Sequence, residues 1–145
     1  MQTLEKIAPK GEVTLTLTKA DGSVESQTVR NLVVQTGINY LASAILASQT
    51  PAFGYMAVGS SGTNPTLGDT ALGAEITRIV FSNTTNTNGV VAITTIYGPG
   101  VGTGTISEAG IFNAASAGVM LARTTFTPYT KGALDTITIN WTITV

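Results

Sequence analysis

Four carboxylates between residues 69 and 135 are the main side chains left for acid–base chemistry. The sequence has no histidine and no cysteine, which excludes imidazole catalysis, thiol chemistry and the usual zinc, copper and iron sites. A glycoside hydrolase needs only two carboxyl groups at a fixed separation. Such enzymes usually line their clefts with aromatic rings, whereas the one tryptophan here, Trp141, lies in a core-facing register. The carboxylates are Asp69, Glu75, Glu108 and Asp135.

Glu108 is the carboxylate whose expected surroundings differ most from water. It is flanked by Ile106 and Ile111 in a segment predicted to be a partly buried strand. An ionised carboxylate in such a place needs a cationic partner, and a guanidinium can supply two parallel hydrogen bonds. Arg123 and Arg78 are the two arginines that could be this partner. The pattern therefore predicts a structural ion pair rather than an active-site acid.

Serine and threonine hydroxyls are abundant, but no activating base stands at a recognisable spacing from them. The glycine-rich segment 98–104 lacks the Lys-Ser/Thr pair and the following helix of a phosphate-binding loop. The loop 59–69 contains one carboxylate, Asp69, which is too few for tight calcium binding. A Ser–Lys arrangement would have to use Lys6, Lys10, Lys19 or Lys131. We predict no enzymatic activity, no catalytic residue, no cofactor, no metal and no small-molecule substrate.

The composition is that of a nearly neutral chain rich in threonine. Of the 145 residues, 26 are threonine and 10% are charged, and the net charge is −1. So few basic residues argue against nucleic-acid binding, which depends on neutralising phosphates. A surface with so little charge favours association, because charge normally keeps proteins apart. No apolar stretch is long enough to cross a bilayer and residues 1–10 lack the apolar part of a secretory signal, so we expect cytoplasmic synthesis and no membrane partner.

Alternation of polar and apolar residues predicts that most of the chain forms strands. It is strictest over residues 136–145, where one face is apolar and the other is mostly threonine. Segments 12–19 and 24–34 are expected to form a hairpin across the Asp21-Gly22 turn, because glycine tolerates the positive φ of tight turns. The apolar faces of these strands are the predicted core.

One short amphipathic helix and several further strands are predicted between these segments. Thr36 is the expected N-cap of the helix, which lies near residues 36–48. The fold class is mainly β: an antiparallel β-sandwich, jelly-roll-like, with this one helix. Residues 1–10 are an N-terminal arm and residues 11–145 a single domain. The later strands are expected at residues 55–58, 76–82, 90–97, 106–113 and 119–127, with 83–89 as a hairpin loop.

Three stretches of the chain, residues 57–78, 104–123 and 131–145, carry recognisable motifs. The first contains a Val-Gly loop and a Leu-x-x-Glu-x-x-Arg segment, and the second contains a strand with glutamate, glycine and phenylalanine in alternation. The matching residues are Leu72, Glu75, Arg78, Glu108, Gly110 and Phe112. As a set, these motifs resemble small virion proteins of tailed bacteriophages, both capsid decoration (cement) proteins and the N-terminal attachment domain of tail-fibre proteins.

The resemblance implies a capsid decoration protein on the outer capsid surface of the virion, which bridges neighbouring major capsid subunits and stabilises the shell. Its implied partners are the major capsid protein and further copies of itself, with a homo-trimer favoured over a dimer. A tail-fibre or baseplate adaptor of the tail is the alternative. The arm supplies the expected partner contacts, which are Met1, Gln2, Thr3, Leu4, Glu5 and Lys6.

A carbohydrate-binding module is a more distant alternative. Sugar recognition by such a module depends on exposed aromatic rings. The tyrosines that could provide them are Tyr55, Tyr97 and Tyr129.

Overall fold

The computed structural model describes residues 9–46 and 51–145, which form two five-stranded antiparallel sheets and one helix. The predicted β-sandwich with one short helix is confirmed. Residues 1–6, the predicted partner contacts of the arm, lie outside the described residues. In chain order the elements are β1 (Lys10–Thr18), β2 (Val24–Arg30), β3 (Leu32–Val33), α1 (Gln35–Ala44), β4 (Tyr55–Gly59), β5 (Glu75–Val80), β6 (Asn83–Thr87), β7 (Val90–Tyr97), β8 (Gly104–Phe112), β9 (Met120–Lys131) and β10 (Thr136–Thr144).

Each sheet is built around strands that are distant in sequence. The first sheet has the strand order β2-β1-β10-β7-β6, and the second has the order β3-β9-β8-β4-β5. In the first sheet β10 lies between β1 and β7 in unbroken register, so that Lys10 faces Thr144 and Ile137 faces Tyr97. In the second sheet the register of β8 with β9 shifts at two places. Such bulges change the direction in which side chains of a strand point.

The main core fills the space between the two sheets. Alternation places Leu15, Ile139 and Trp141 on the inner face of the first sheet, and all three are fully buried. Ile111 of the second sheet belongs to the same cluster. Each such side chain contributes roughly 1.5–3 kcal/mol on burial, which is why the strict alternation fixes the register. Val145 was expected on this face but is 61% exposed, because it follows the end of β10.

A second, smaller core lies on the outer face of the second sheet. Residues 60–74, which we call the outer loop, cover this face through the side chain of Leu72. Gly110 of β8 makes the contact close, since a Cβ there would lie 2.9 Å from Leu72 Cδ2. The cluster consists of Val34, Ala57, Leu72, Phe112 and Met120.

Two segments differ from the sequence prediction because the chain changes sheets. Residues 83–89, expected to be a hairpin loop, contain β6, and only Asn88 and Gly89 form the turn. Their φ angles of 53° and 77° are those of a type I′ turn. The single strand expected over 24–34 is divided at Asn31, where the chain passes from the first sheet to the second.

The helix α1 is shorter than the expected range 36–48 and begins with a different cap. Val34 occupies the N-cap position and makes no side-chain cap hydrogen bond. The Thr36 hydroxyl, the predicted cap, instead donates to a carbonyl of β9 at 2.9 Å. Gly37 is buried, and a Cβ there would lie 2.2 Å from the carbonyl oxygen of Leu121. The helix therefore packs against the backbone of β9.

Candidate functional site

Glu108, Arg123 and Asp69 form a chain of salt bridges on the outer face of the second sheet, which we call the charge cluster. Arg123 donates through Nε and Nη2 to Glu108 Oε2 at 3.0 and 2.9 Å, and through Nη1 to Asp69 Oδ2 at 3.1 Å. The side chain of Glu108 is fully buried, that of Arg123 is 3% exposed and that of Asp69 is 24% exposed. The structure thus brings together two residues of the predicted ion pair and adds Asp69 to them.

Three backbone amides complete the hydrogen bonding of the Glu108 carboxylate. Oε1 accepts from the N–H groups of Ser61 and Ala74 at 3.2 and 2.7 Å, and Oε2 accepts from that of Gly73 at 3.0 Å. Gly59 lies beside the carboxylate, where a Cβ would come within 2.5 Å of Oε1. Because these amides belong to both ends of the outer loop, one carboxylate fastens both ends of the loop to the sheet.

Arg78, the other residue predicted for the ion pair, does not join the charge cluster. Its Nη2 donates to Glu75 Oε1 at 2.7 Å, and its Nη1 donates to the carbonyls of Ala114 and Ala117 at 2.9 and 2.8 Å. The guanidinium carbon lies 3.7 Å from the centroid of the Phe112 ring, which is cation–π geometry. Arg78 therefore fastens β5 to the turn that follows β8.

Asp69 remains an anion because of its hydrogen bonds. Burial on its own raises the pKa of this carboxyl. The backbone N–H and the hydroxyl of Thr66, at 2.9 and 2.8 Å, together with Arg123, outweigh burial and hold the pKa of Asp69 below its ordinary value. The carboxylate is therefore a partner for the arginine and is poorly suited to donate a proton.

Lys131 and Asp135 organise the opposite end of the sandwich. Lys131 is fully buried, its Nζ donates to the Gly98 carbonyl at 2.9 Å, and burial lowers its pKa although Asp135 acts in the other direction. Asp135 accepts from the N–H groups of Gly132 and Ala20 at 2.7 and 3.0 Å, and these bonds lower its pKa. Both groups serve loop structure, and the burial of Lys131 has no counterpart in the sequence analysis.

The three tyrosines that a sugar site would need do not form an exposed platform. Tyr97 is fully buried, its hydroxyl donates to the Met56 carbonyl at 2.6 Å, and burial raises its pKa. Tyr129 is 7% exposed, and Tyr55 packs against the second core. Stacking on a sugar ring requires exposed aromatic faces, and these three tyrosines do not provide them.

The outer face of the first sheet carries hydroxyl and amide groups with few charges, and we call it the threonine face. Thr14 and Thr28 hydroxyls lie 3.0 Å apart, and the Thr94 hydroxyl donates to Asn140 Oδ1 at 2.8 Å, so neighbouring strands are linked across it. Its central residues, given by the strand registers, are Thr14, Thr16, Thr94, Thr138, Asn140 and Thr142. The face offers methyl groups together with hydrogen-bond donors and acceptors.

Two features common in other proteins are missing from residues 9–46 and 51–145. No group of three or more acidic, histidine or cysteine side chains could hold a metal ion there. No helix within these ranges is long and apolar enough to cross a membrane. No protein-family model, no curated protein and no solved structure matches the chain. The resemblance to phage virion proteins therefore stays a prediction from the sequence.

Proposed function

We propose that the protein is a structural component of a tailed-phage virion, a decoration protein that binds the outer capsid surface and bridges neighbouring major capsid subunits. The threonine face is the observation that carries the proposal. Glu108, Asp69 and Glu75 are engaged in salt bridges, and Asp135 is bound to backbone amides, which supports a binding role over acid–base catalysis.

A flat face of this composition binds through contact area and hydrogen bonds. Specific interfaces bury about 1,000 Å² or more and form about one hydrogen bond per 100–200 Å². Each threonine hydroxyl can both donate and accept, so the face suits a polar partner surface. Many identical contacts on a symmetric shell add avidity without demanding a strong single contact.

One observation favours a tail-fibre or baseplate adaptor as the second candidate. Leu72 packs over Gly110, and Arg78 lies over the ring of Phe112. The two motifs that resemble the attachment domain of tail-fibre proteins are therefore in contact with each other. Contact between the two motifs favours the architecture of that attachment domain. A protein with this architecture would join a fibre to the tail.

Purified particles of the encoding phage distinguish the two candidates. A decoration protein should be present in many copies over the whole shell, and particles lacking it should release DNA at a lower temperature until purified protein is added back. An adaptor should be present in few copies at one vertex. Particle imaging with quantitative protein analysis measures both, and absence of the protein from the particle would overturn both proposals.

Charges placed on the threonine face test the mode of binding. Thr16 and Thr138 face each other at its centre, so the double variant Thr16→Lys/Thr138→Lys should abolish binding to shells that lack the protein, because two ammonium groups would have to lose water. Co-sedimentation with the shells measures this. The exposed Thr130→Lys on β9 is the control and should bind normally. Undiminished binding by the double variant would show that another surface meets the shell.

A further inference from the structure

Among the described strands, β6 is the sheet edge that lacks protection against pairing. In the part of the chain that the structure describes, the edge strands are β2 and β6 in the first sheet and β3 and β5 in the second. β2 carries Glu25 and Arg30, β5 carries Glu75 and Arg78, and β3 has only two residues. Charge and shortness are ways in which proteins block edge-to-edge pairing. β6 has five uncharged residues and no proline.

The side of β6 that should face the core is open to solvent as well. Thr84 and Asn86 pair with Ile93 and Val91, so their side chains continue the inner face of the first sheet. Both residues are nevertheless exposed, as are the other three residues of β6. The second sheet therefore does not extend far enough to cover this strand.

An apolar cavity of about 340 Å³ lies next to β6. Thr84 and Asn86 form part of its wall, and the helix α1 closes another part. Its apolar lining includes Leu41, Phe53, Phe81, Val91, Leu121 and Ile143. A strand added beside β6 would place alternate side chains over this cavity, because successive side chains point to opposite faces.

The backbone of β6 has hydrogen-bonding groups directed at the open edge. Thr87 and Val90 flank the two-residue turn and so form a hydrogen-bonded pair. Hydrogen-bonded and non-hydrogen-bonded pairs alternate along an antiparallel ladder. The N–H and C=O groups of Thr84 and Asn86 therefore point away from β7, toward any strand that arrives.

We propose that the occupant of this edge is β6 of a second copy of the chain. A two-fold axis at Thr85 makes the two strands antiparallel, with Thr84 of one copy facing Asn86 of the other, and each such pair exchanges two backbone hydrogen bonds. The two first sheets then form one continuous sheet. The same axis, perpendicular to that sheet, places both apolar cavities side by side beneath it.

The charge pattern supports pairing of β6 with itself over pairing through another edge. Edge-to-edge pairing of β2 or β5 would require charged side chains to lose water, because each of these strands carries one acidic and one basic residue. β6 carries no charge, and its threonine and asparagine side chains can donate and accept with their own kind. Pairing along about 17 Å of strand buries less than the roughly 1,000 Å² of a stable interface, so the proposed dimer also requires contact between the walls of the two adjoining apolar cavities.

Oligomeric state measured on the full chain tests the proposal. Sedimentation equilibrium should give twice the chain mass at high concentration, and the amides of Thr84 and Asn86 should gain protection from hydrogen exchange in the dimer only. The variants Thr84→Lys/Asn86→Lys and Thr84→Glu/Asn86→Glu should each be monomeric. Their mixture should dimerise again, because opposite charges then face each other.

A lysine pair on the opposite edge of the same sheet, Ser26→Lys/Thr28→Lys, is the matched control and should remain dimeric. An unchanged far-ultraviolet circular dichroism spectrum with cooperative thermal unfolding identifies variants that keep the fold, since loss of the dimer alone lowers the melting temperature. Asn86→Pro, which removes one outward N–H, replaces any variant that does not keep the fold. A wild-type monomer at every concentration, a trimer, or a dimer that survives both charged variants overturns the proposal. The experiment contains no phage particle, so its failure leaves the proposed role in the virion untouched.

Discussion

The salt bridge between Arg123 and Glu108 is almost completely removed from water. Burying two charges costs several kcal/mol per ion, and the cost is recovered only if every polar atom finds a partner. Here the carboxylate accepts three backbone N–H groups in addition to the guanidinium, and Asp69 occupies the far side of the arginine. An apolar pair of the same volume could stabilise the sheet equally, but it could not hold the amides of the outer loop. The cluster therefore determines where that loop lies.

Replacing Arg123 by methionine should be strongly destabilising. The variant Arg123→Met leaves the Glu108 carboxylate buried without its cation, and we expect the free energy of unfolding to fall by about 3 kcal/mol. Urea unfolding measures the change. Arg30, whose side chain lies on the solvent-exposed end of β2, gives the matched control, and Arg30→Met should change stability by no more than about 0.5 kcal/mol. Equal losses in the two variants would contradict a structural role for the buried pair.

At the residue scale, the sequence predicts that Glu108 has an arginine partner, but it leaves Arg123 and Arg78 both open and does not predict the surroundings of the pair. Flanking isoleucines predict that Glu108 lies in a partly buried strand and needs a cation, and the register of β8 with β9 is what selects Arg123. The contribution of Asp69 depends on a loop folding back over a sheet face, which no local pattern reveals. Lys131 gives no signal either, since its burial depends on the distant segment that contains Gly98.

At the scale of elements, the sequence predicts the strands in which polar and apolar residues alternate, and it does not predict β6, in which they do not. β1 and β10 each have one buried face and one face toward solvent, so the alternation in their sequences predicts a strand. β6 is exposed on both faces, so its sequence is polar throughout and is typical of a loop. Only the Asn-Gly turn that follows it indicates a hairpin strand. The sequence does not predict the division at Asn31 either. β2 and β3 form one continuous strand pattern, and the break between them depends on the pairing of β3 with the second sheet.

Gly37→Ala tests how closely α1 approaches β9. Alanine in a helix is normally more stable than glycine by about 1 kcal/mol. Here the new Cβ would meet the carbonyl of Leu121, which is backbone and cannot rotate away, so we expect a loss of about 1–3 kcal/mol in thermal or urea unfolding. Gly54→Ala, with no atom within 4 Å of the added carbon, is the control and should be nearly neutral. A stabilised Gly37 variant would mean that the helix is free to move outward.

At the scale of the whole molecule, several of the charged side chains hold local structure in place. Aspartates in three separate places, Asp21, Asp69 and Asp135, have a pKa below the ordinary value. Ser23 lowers the pKa of Asp21 through its hydroxyl and backbone N–H. Thr66 and Arg123 lower the pKa of Asp69, and the amides of Gly132 and Ala20 lower the pKa of Asp135. These carboxylates therefore stay ionised near neutral pH, and the weak charge repulsion between copies follows from the small share of charged residues, 10% of the chain.

These shifts predict the response to acid. A folded-state pKa below the unfolded value means that the unfolded chain binds more protons, so stability is fully present above about pH 4 and is lost as the pH falls from there toward the folded-state values. Urea unfolding followed between neutral pH and about pH 2.5 should show this decline. The variant Asp69→Asn should be less stable at neutral pH and should decline less steeply in acid. An unchanged slope would show that folding does not lower the pKa of Asp69 through Thr66 and Arg123.

The place of β10 between β1 and β7 has a consequence for biosynthesis. β1 leaves the ribosome first. Its partner β10, which joins it to β7 in the sheet, is translated only after nearly all of the described chain. Loop-closure entropy makes such distant pairing slow. Until it occurs, the nascent polypeptide exposes the aliphatic side chains of β1 and β7 to the crowded interior of the cell. We therefore expect chaperones to bind the growing chain and to release it once β10 has docked.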